Sequence, residues 1–315
     1  MYVKDFLHDK FSWSKLQCFA TCPRLFYYRY VLKRRDPPSL AILFGRGCHE
    51  GMEVDAYAKL RGEKLSIQQV LDAAVAGFEE ERAKEDTKDA STDDFVKQHR
   101  RQLEVFEESG ERAKIVPVPG TVEATFQLEV EVGAEGAKSP ALIEGYCDVV
   151  TEGEQGRAVV NWKSAARPMS LHEAESHLQL GLEIMGTGAE RGRVVSFVKA
   201  GKQRPTTKVV EAALGEARRA KLFRFVGETI MAIRAALKTG DFPKCSPNAF
   251  WCSAQSCSMY DMCYGKEHAD RFVNVTKIHP AGSLPAQSWR ESRAGRAERL
   301  KKETTVDASN GQVSQ

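Results

Sequence analysis

The residues with chemistry to offer lie in one stretch, Ile143 to Lys163, which reads Ile-Glu-Gly-Tyr-Cys-Asp-Val-Val, a polar turn, then Ala-Val-Val-Asn-Trp-Lys. Its two β-branched halves flank a segment rich in Gly and charge, Thr151 to Arg157, which is the pattern of a β-hairpin. Side chains two apart on a strand share a face, so Asn161 and Lys163 point one way and Trp162 the other. With Asp148 on the partner strand, a carboxylate, a carboxamide and an ammonium converge at the open end of a sheet. An acid in place of the carboxamide would make this a metal-and-lysine site, able to hold a divalent cation and offset a developing negative charge.

A second group is cysteine-based. Cys252-x4-Cys257-x5-Cys263 brings three thiols within twelve residues, close enough in sequence to bind one centre with a fourth ligand from Cys22 or Cys245. Four thiolates suit a tetrahedral zinc ion or an iron–sulfur cluster, and ligand identity alone does not separate them. Cys48 and Cys147 stand in apolar surroundings and read as small buried hydrophobes.

The elements that must position these groups follow from periodicity. Ser12 or Ser14 caps a helix carrying Leu16 and Phe19; Pro23, favoured in a first turn, starts another, leaving Cys22 at the junction. Phe44-Gly45-Arg46-Gly47-Cys48-His49 opens a helix that continues through Met52, Ala56 and Leu60, and Ser66 to Gln69 and Thr92 start two more. Val122 to Val132 alternates strictly and is a strand, turned by Gly133 to Pro140 into the hairpin above. Ser170 and Glu173 form a capping box for a single helix with Leu171, Ala174, Leu178, Leu182 and Met185 on its apolar face and Gln179 at its edge. Val194 to Val198 and Thr206 to Val210 make a strand pair, followed by a long helix from Leu222 to Leu237. Helices, strands, helix, strands, helix is the order of an α/β or α+β domain.

A chain of 315 residues with 42% apolar content can build a substantial core. A net charge of +3 does not by itself argue for nucleic acid, although Lys33-Arg34-Arg35 and Lys97 to Arg101 offer local contacts for phosphates. No run approaches the roughly 18 apolar residues that span a bilayer, and the first residues lack a signal-peptide core, so a cytoplasmic location without membrane contact is expected. Residues 283–315 are polar, small and basic, the composition of a flexible tail.

Taken together, these segments resemble the RecB-like branch of the PD-(D/E)XK nuclease superfamily. The likeness is strongest to members with a C-terminal cysteine cluster: the AddB nuclease domain, the CRISPR spacer-acquisition nuclease and phage exonucleases. Ser14 to Tyr28 looks like the N-terminal helix with its Cys-Pro-Arg; Gly45 to His49 looks like Gly-x-x-x-His; Glu144 to Asp148 looks like Gly-x-x-Asp; Val160 to Ser164 looks like (D/E)-x-K. Gln179 takes the place of the glutamine on the following helix, without the usual tyrosine after it.

The resemblance implies an α/β fold with a restriction-endonuclease-like core: a mixed central sheet flanked by helices, its N- and C-terminal segments joined by a metal cluster. It implies Asp148, residue 161 and His49 as ligands of Mg2+ or Mn2+, Lys163 as the group that positions water and offsets charge, and Gln179 as an orienting side chain. Cys22, Cys252, Cys257 and Cys263 would hold a [4Fe–4S] cluster, with zinc the alternative; Glu144 and Cys245 are secondary candidates.

The expected boundaries are residues 1–43 for the N-terminal helical segment and 44–240 for the core, with a helical insertion at about 62–115. Residues 241–268 would be the Cys-rich segment and 269–315 the basic tail. The implied activity is metal-dependent cleavage of DNA, as an exonuclease on ends or single strands, with unwinding left to a helicase or recombination partner. Asn161 departs from the pattern, and a neutral side chain there is expected to weaken metal binding and slow cleavage. With its neighbours intact, it reads as a replaced aspartate. The alternative is a degenerate fold that binds DNA or a partner without cutting.

Overall fold

The computed structural model describes residues 10–34, 39–84, 91–134, 136–199 and 204–264. The chain divides into two compact units, residues 1–260 and 261–315. The expected basic tail, 269–315, lies outside the described residues, and of the second unit only 261–264 are described.

Two mixed sheets carry the first unit. Strands β1 (Lys10–Phe11), β2 (Ala124–Val132) and β3 (Ser139–Cys147) form a sheet in the order β1-β3-β2, with β1 parallel and β2 antiparallel to β3. Strands β4 (Val149–Gly153), β5 (Gly156–Ala165), β6 (Arg191–Val198) and β7 (Thr206–Ala213) form the second sheet in chain order, with β5 and β6 parallel. The parallel pair needs a crossover, and α6 (Leu171–Ser176) and α7 (Leu178–Thr187) supply it. The expected mixed, helix-flanked sheet architecture is present as two sheets, while the hairpin expected from Ile143 to Lys163 survives only where Val149–Gly153 pairs with Gly156–Val160. Upstream of Asp148 the alternating residues of β2 offer β3 an unbroken ladder from Ala124↔Cys147 to Val132↔Ser139, so Asp148 sits where the chain passes from one sheet to the other.

Helices α1 (Trp13–Thr21) and α2 (Pro23–Phe26) meet at an extended Cys22, as the proline requires, and a π-helical turn, Tyr27–Val31, follows. The next three are α3 (Leu40–Leu60), α4 (Ile67–Lys84) and α5 (Thr92–Glu108). Helix α3 begins earlier than its glycines suggest, so Gly45, Gly47 and Gly51 lie inside it. They serve close packing: a Cβ on Gly47 would stand 2.9 Å from the Ala74 carbonyl, and one on Gly51 would stand 2.9 Å from that of Val70. Long α8 (Glu216–Thr239) and short α9 (Tyr260–Tyr264) complete the order.

The core falls on both faces of the second sheet. Trp162 and Phe197 pack against Phe44, Phe95 and Phe106 of α3 and α5, while Val159 and Val194 pack against Leu180 and Ile184 of α7. A third cluster joins Phe11, Phe19, Phe126 and Ile143 to Ile230 and Ile233 of α8. The helix expected from Ser170 through Met185 is broken. His177 is extended, and its Nδ1 accepts from the Leu180 amide, capping α7 as a separate helix. The break leaves Leu171 exposed and gives α7 its own direction against the sheet.

Candidate active site

Alternation on β5 sends Trp162 into the core and presents Asn161 and Lys163 to α7, as the strand period demands. β4 stops pairing at Val149↔Val160, so the β5 backbone beyond it must find other partners. Two side chains meet that need: the Trp162 amide donates to Asp148 Oδ2 at 2.6 Å, and His49 Nε2 donates to the Trp162 carbonyl at 2.9 Å. With its Nε2 proton thus committed, His49 turns Nδ1 toward Asp148 Oδ1, 3.5 Å away.

The face of α3 that reaches this point is set by its glycines. Gly45, one turn before His49, lies with its Cβ position 3.7 Å from Ser164 on β5, while Gly47 and Gly51 draw the opposite face against α4. Close approach on both sides fixes the helix between sheet and neighbour.

Glu123 completes the group. One ligand atom each from His49, Glu123 and Asp148 lies within 4.8 Å of the others, a donor set for one cation. The Glu123 amide donates to the Asp148 carbonyl at 2.9 Å, and the residue holds φ at +50°, a left-handed conformation that costs a non-glycine residue energy. Glu123 is exposed as a residue, yet burial of its carboxyl, then the charges of Asp148, Glu53 and Glu50, push that group up to about 7. Burial and the Glu50 charge likewise raise Glu53, one turn beyond His49.

On the α7 side, Lys163 Nζ donates to Gln179 Oε1 at 3.1 Å, and Gln179 Nε2 donates to Glu183 Oε1 at 2.8 Å. Asn161 Nδ2 lies 2.9 Å from both oxygens of Glu183. Burial and the Asp148 charge push the Glu183 carboxyl up to about 8, partly offset by Lys163 and by the Gln179 and Asn161 amides. Glu183 and Gln179 also line a cleft of about 730 Å³ with Trp13, Lys15, Gln127 and Tyr146. A neighbouring hollow of about 560 Å³ shares Trp13 and Gln17 and reaches Lys163.

His49, Asp148, Asn161, Lys163 and Gln179 thus form one connected set. Glu144 stands apart on the cleft wall, accepting from Lys10 and Gln127. Glu123 and Glu183 were not read as site residues from sequence. Glu183 had a signal, since a lone acid one turn from Gln179 interrupts the apolar stripe of α7; Glu123 had none, because its place depends on a left-handed turn.

The cysteines gather as well. Cys245 lies within hydrogen-bonding reach of Cys22 and of Cys252, and burial followed by these neighbours pushes Cys245 up to about 12. Burial raises Cys257, and the charges of Cys22 and Cys252 reach it. Both alternatives for a fourth ligand, Cys22 and Cys245, therefore lie together. Arg24 donates its amide to the Pro243 carbonyl at 3.1 Å, and Phe26 stacks on Phe242, which holds the N-terminal helices to this segment. Cys263 lies on α9 in the second unit. Cys48 and Cys147 are buried, as their surroundings suggest.

No helix among the described residues is long and apolar enough to cross a membrane. Two solved structures align with this chain. SSO0001 is 17% identical, with 72% of this chain and 77% of that chain covered and a TM-score of 0.36. An exonuclease-like protein from Eubacterium rectale is 13% identical, with 90% and 98% covered and a TM-score of 0.46. No curated protein matches the sequence. Residues 10–264 match the sequence model of the PD-(D/E)XK nuclease superfamily, and the chain belongs to that superfamily.

Proposed function

We propose that the protein is a metal-dependent deoxyribonuclease that hydrolyses phosphodiester bonds at DNA ends or in single strands, as an exonuclease. The observation that carries this reading is the convergence of His49, Glu123 and Asp148 within 4.8 Å. One imidazole and two carboxylates suit Mg2+ or Mn2+, and the nitrogen favours Mn2+. The His49 tautomer fits too: the Trp162 carbonyl takes the Nε2 proton and leaves Nδ1 for a ligand. A cation held there would polarise the phosphoryl group and lower the pKa of bound water.

The chain's own residues have distinct tasks. Asp148 is held by the Trp162 amide, so its second oxygen faces His49. Lys163, steadied by Gln179, carries the positive charge that offsets negative charge growing on the reacting phosphate. Gln179 orients water or a strand in the cleft. Of the cysteines expected to hold a [4Fe–4S] cluster, or zinc in its place, Cys22, Cys252 and Cys257 belong to the first unit, and the hydrogen-bonding reach of Cys245 to both Cys22 and Cys252 supports a thiolate-held centre there. The N- and C-terminal segments are tied there, and unwinding is left to a helicase or recombination partner.

Asn161 favours a second reading, a module that grips DNA without cutting it. Incubating end-labelled single- and double-stranded DNA with the protein and Mn2+ decides between them. Release of nucleotides that Lys163→Ala abolishes supports the nuclease, and binding without release supports the module.

A further inference from the structure

The acid that β5 lacks at residue 161 has a counterpart across the cleft on α7. Asn161 and Glu183 are 3% and 2% exposed, and Asn161 Nδ2 stands 2.9 Å from each Glu183 oxygen. The other hydrogen bond to that carboxyl comes from Gln179 Nε2. Among the described residues, no ammonium or guanidinium makes an ion pair with Glu183. A buried acid bonded to neutral amides, with the Lys163 charge near but not paired to it, is costly unless a cation completes its surroundings.

A second observation points the same way. Asn161 Oδ1 is buried and has no hydrogen-bond partner, leaving a hard oxygen donor unused beside the acid. The pairing also explains the amide itself. An aspartate at 161 would set carboxylate against carboxylate, whereas an asparagine donates to the glutamate and keeps its oxygen available.

We propose that Glu183 takes over the cation-holding role that an acid at residue 161 would have, with Asn161 as its positioning residue. The negative charge stands on the helix instead of on the strand. On this account Asn161 is the complement of Glu183, and the chain retains a full metal-binding set. The inference rests on the nuclease reading above and deepens it.

The test measures Mn2+ affinity of the full chain by calorimetry and by paramagnetic resonance of the ion. It compares the unaltered protein, Glu183→Gln, and the exchange Asn161→Asp with Glu183→Gln. We expect Glu183→Gln to lose at least about tenfold in affinity and the exchange to restore most of it. Should Glu183→Gln fail to fold, the exchange still reports, because it re-pairs an acid with an amide across the same contact. Unchanged Mn2+ affinity in Glu183→Gln, or an exchange that restores nothing, overturns the relocation. Cleavage is scored separately on end-labelled DNA. A protein that binds Mn2+ through Glu183 and cuts nothing sinks only the nuclease reading, while one that cuts equally well as Glu183→Gln sinks only the relocation.

Discussion

Gly47 offers a direct way to couple the packing of α3 to the site. Replacing it by alanine puts a Cβ 2.7 Å from Phe95 Cζ, 2.9 Å from the Ala74 carbonyl and 3.0 Å from Phe78 Cβ. The phenylalanine ring could turn, but the carbonyl belongs to the α4 backbone, so the helices must separate by a few tenths of an ångström. Overpacking of this kind costs about 1–3 kcal/mol. Alanine in a helix interior returns about 1 kcal/mol over glycine. The expected net loss is about 0–2 kcal/mol, or up to roughly 8 °C in Tm for a domain of this size. Gly45 is the control on the same helix. Its Cβ position has 3.7 Å of room, so Gly45→Ala should gain the helix contribution without the clash.

The functional consequence follows from His49, two residues on from Gly47 and bonded to the Trp162 carbonyl at 2.9 Å. Displacing α3 shifts that imidazole against Asp148, so Gly47→Ala should weaken Mn2+ binding more than Gly45→Ala does. Thermal melts by circular dichroism and Mn2+ calorimetry on both variants check this. A Gly47→Ala protein as stable as the parent, with unchanged Mn2+ affinity, would show that the helix spacing does not set the site.

Three further outcomes are expected. Glu123→Gly removes the strain of a left-handed glutamate, so its melt should show about 1 kcal/mol of added stability while Mn2+ affinity falls; a loss of both would count against the strained-ligand assignment. His99 is fully buried against Phe95 and Phe197, and burial lowers its pKa from 6.5 to about 4. Between those values the unfolded chain takes up a proton that the folded chain refuses. Stability is therefore full above pH 6.5 and falls by about 3 kcal/mol toward pH 4; denaturant midpoints across that range should show the slope, and His99→Gln should flatten it. Anaerobic purification should give a brown protein containing iron and sulfide that Cys252→Ser loses, and a colourless protein containing only zinc would assign the other metal.

Much of the site was legible because its residues obey local periods. The alternation of β5 put Asn161 and Lys163 together and Trp162 opposite, and the four-residue spacing from Gly45 to His49 placed both on one face of α3. Pro23 and the Ser170 capping box marked helix starts that the structure keeps. What escaped was decided by tertiary competition. The outward half of the hairpin went to β2, which offered a longer ladder. His177 ended α6 by becoming a cap, an event that the apolar stripe through Leu178 conceals. Glu123 joined the cation group through a left-handed turn, and Glu183 through contact with a strand 22 residues away.

The central claim is that His49, Glu123 and Asp148 hold one divalent cation beside Lys163. Anomalous scattering from a crystal grown with Mn2+ tests it most directly. The account predicts a manganese peak bounded by His49 Nδ1 and the carboxylates of Glu123 and Asp148, lost in Asp148→Asn. Manganese bound elsewhere, with those three side chains making no contact to it, would contradict the account.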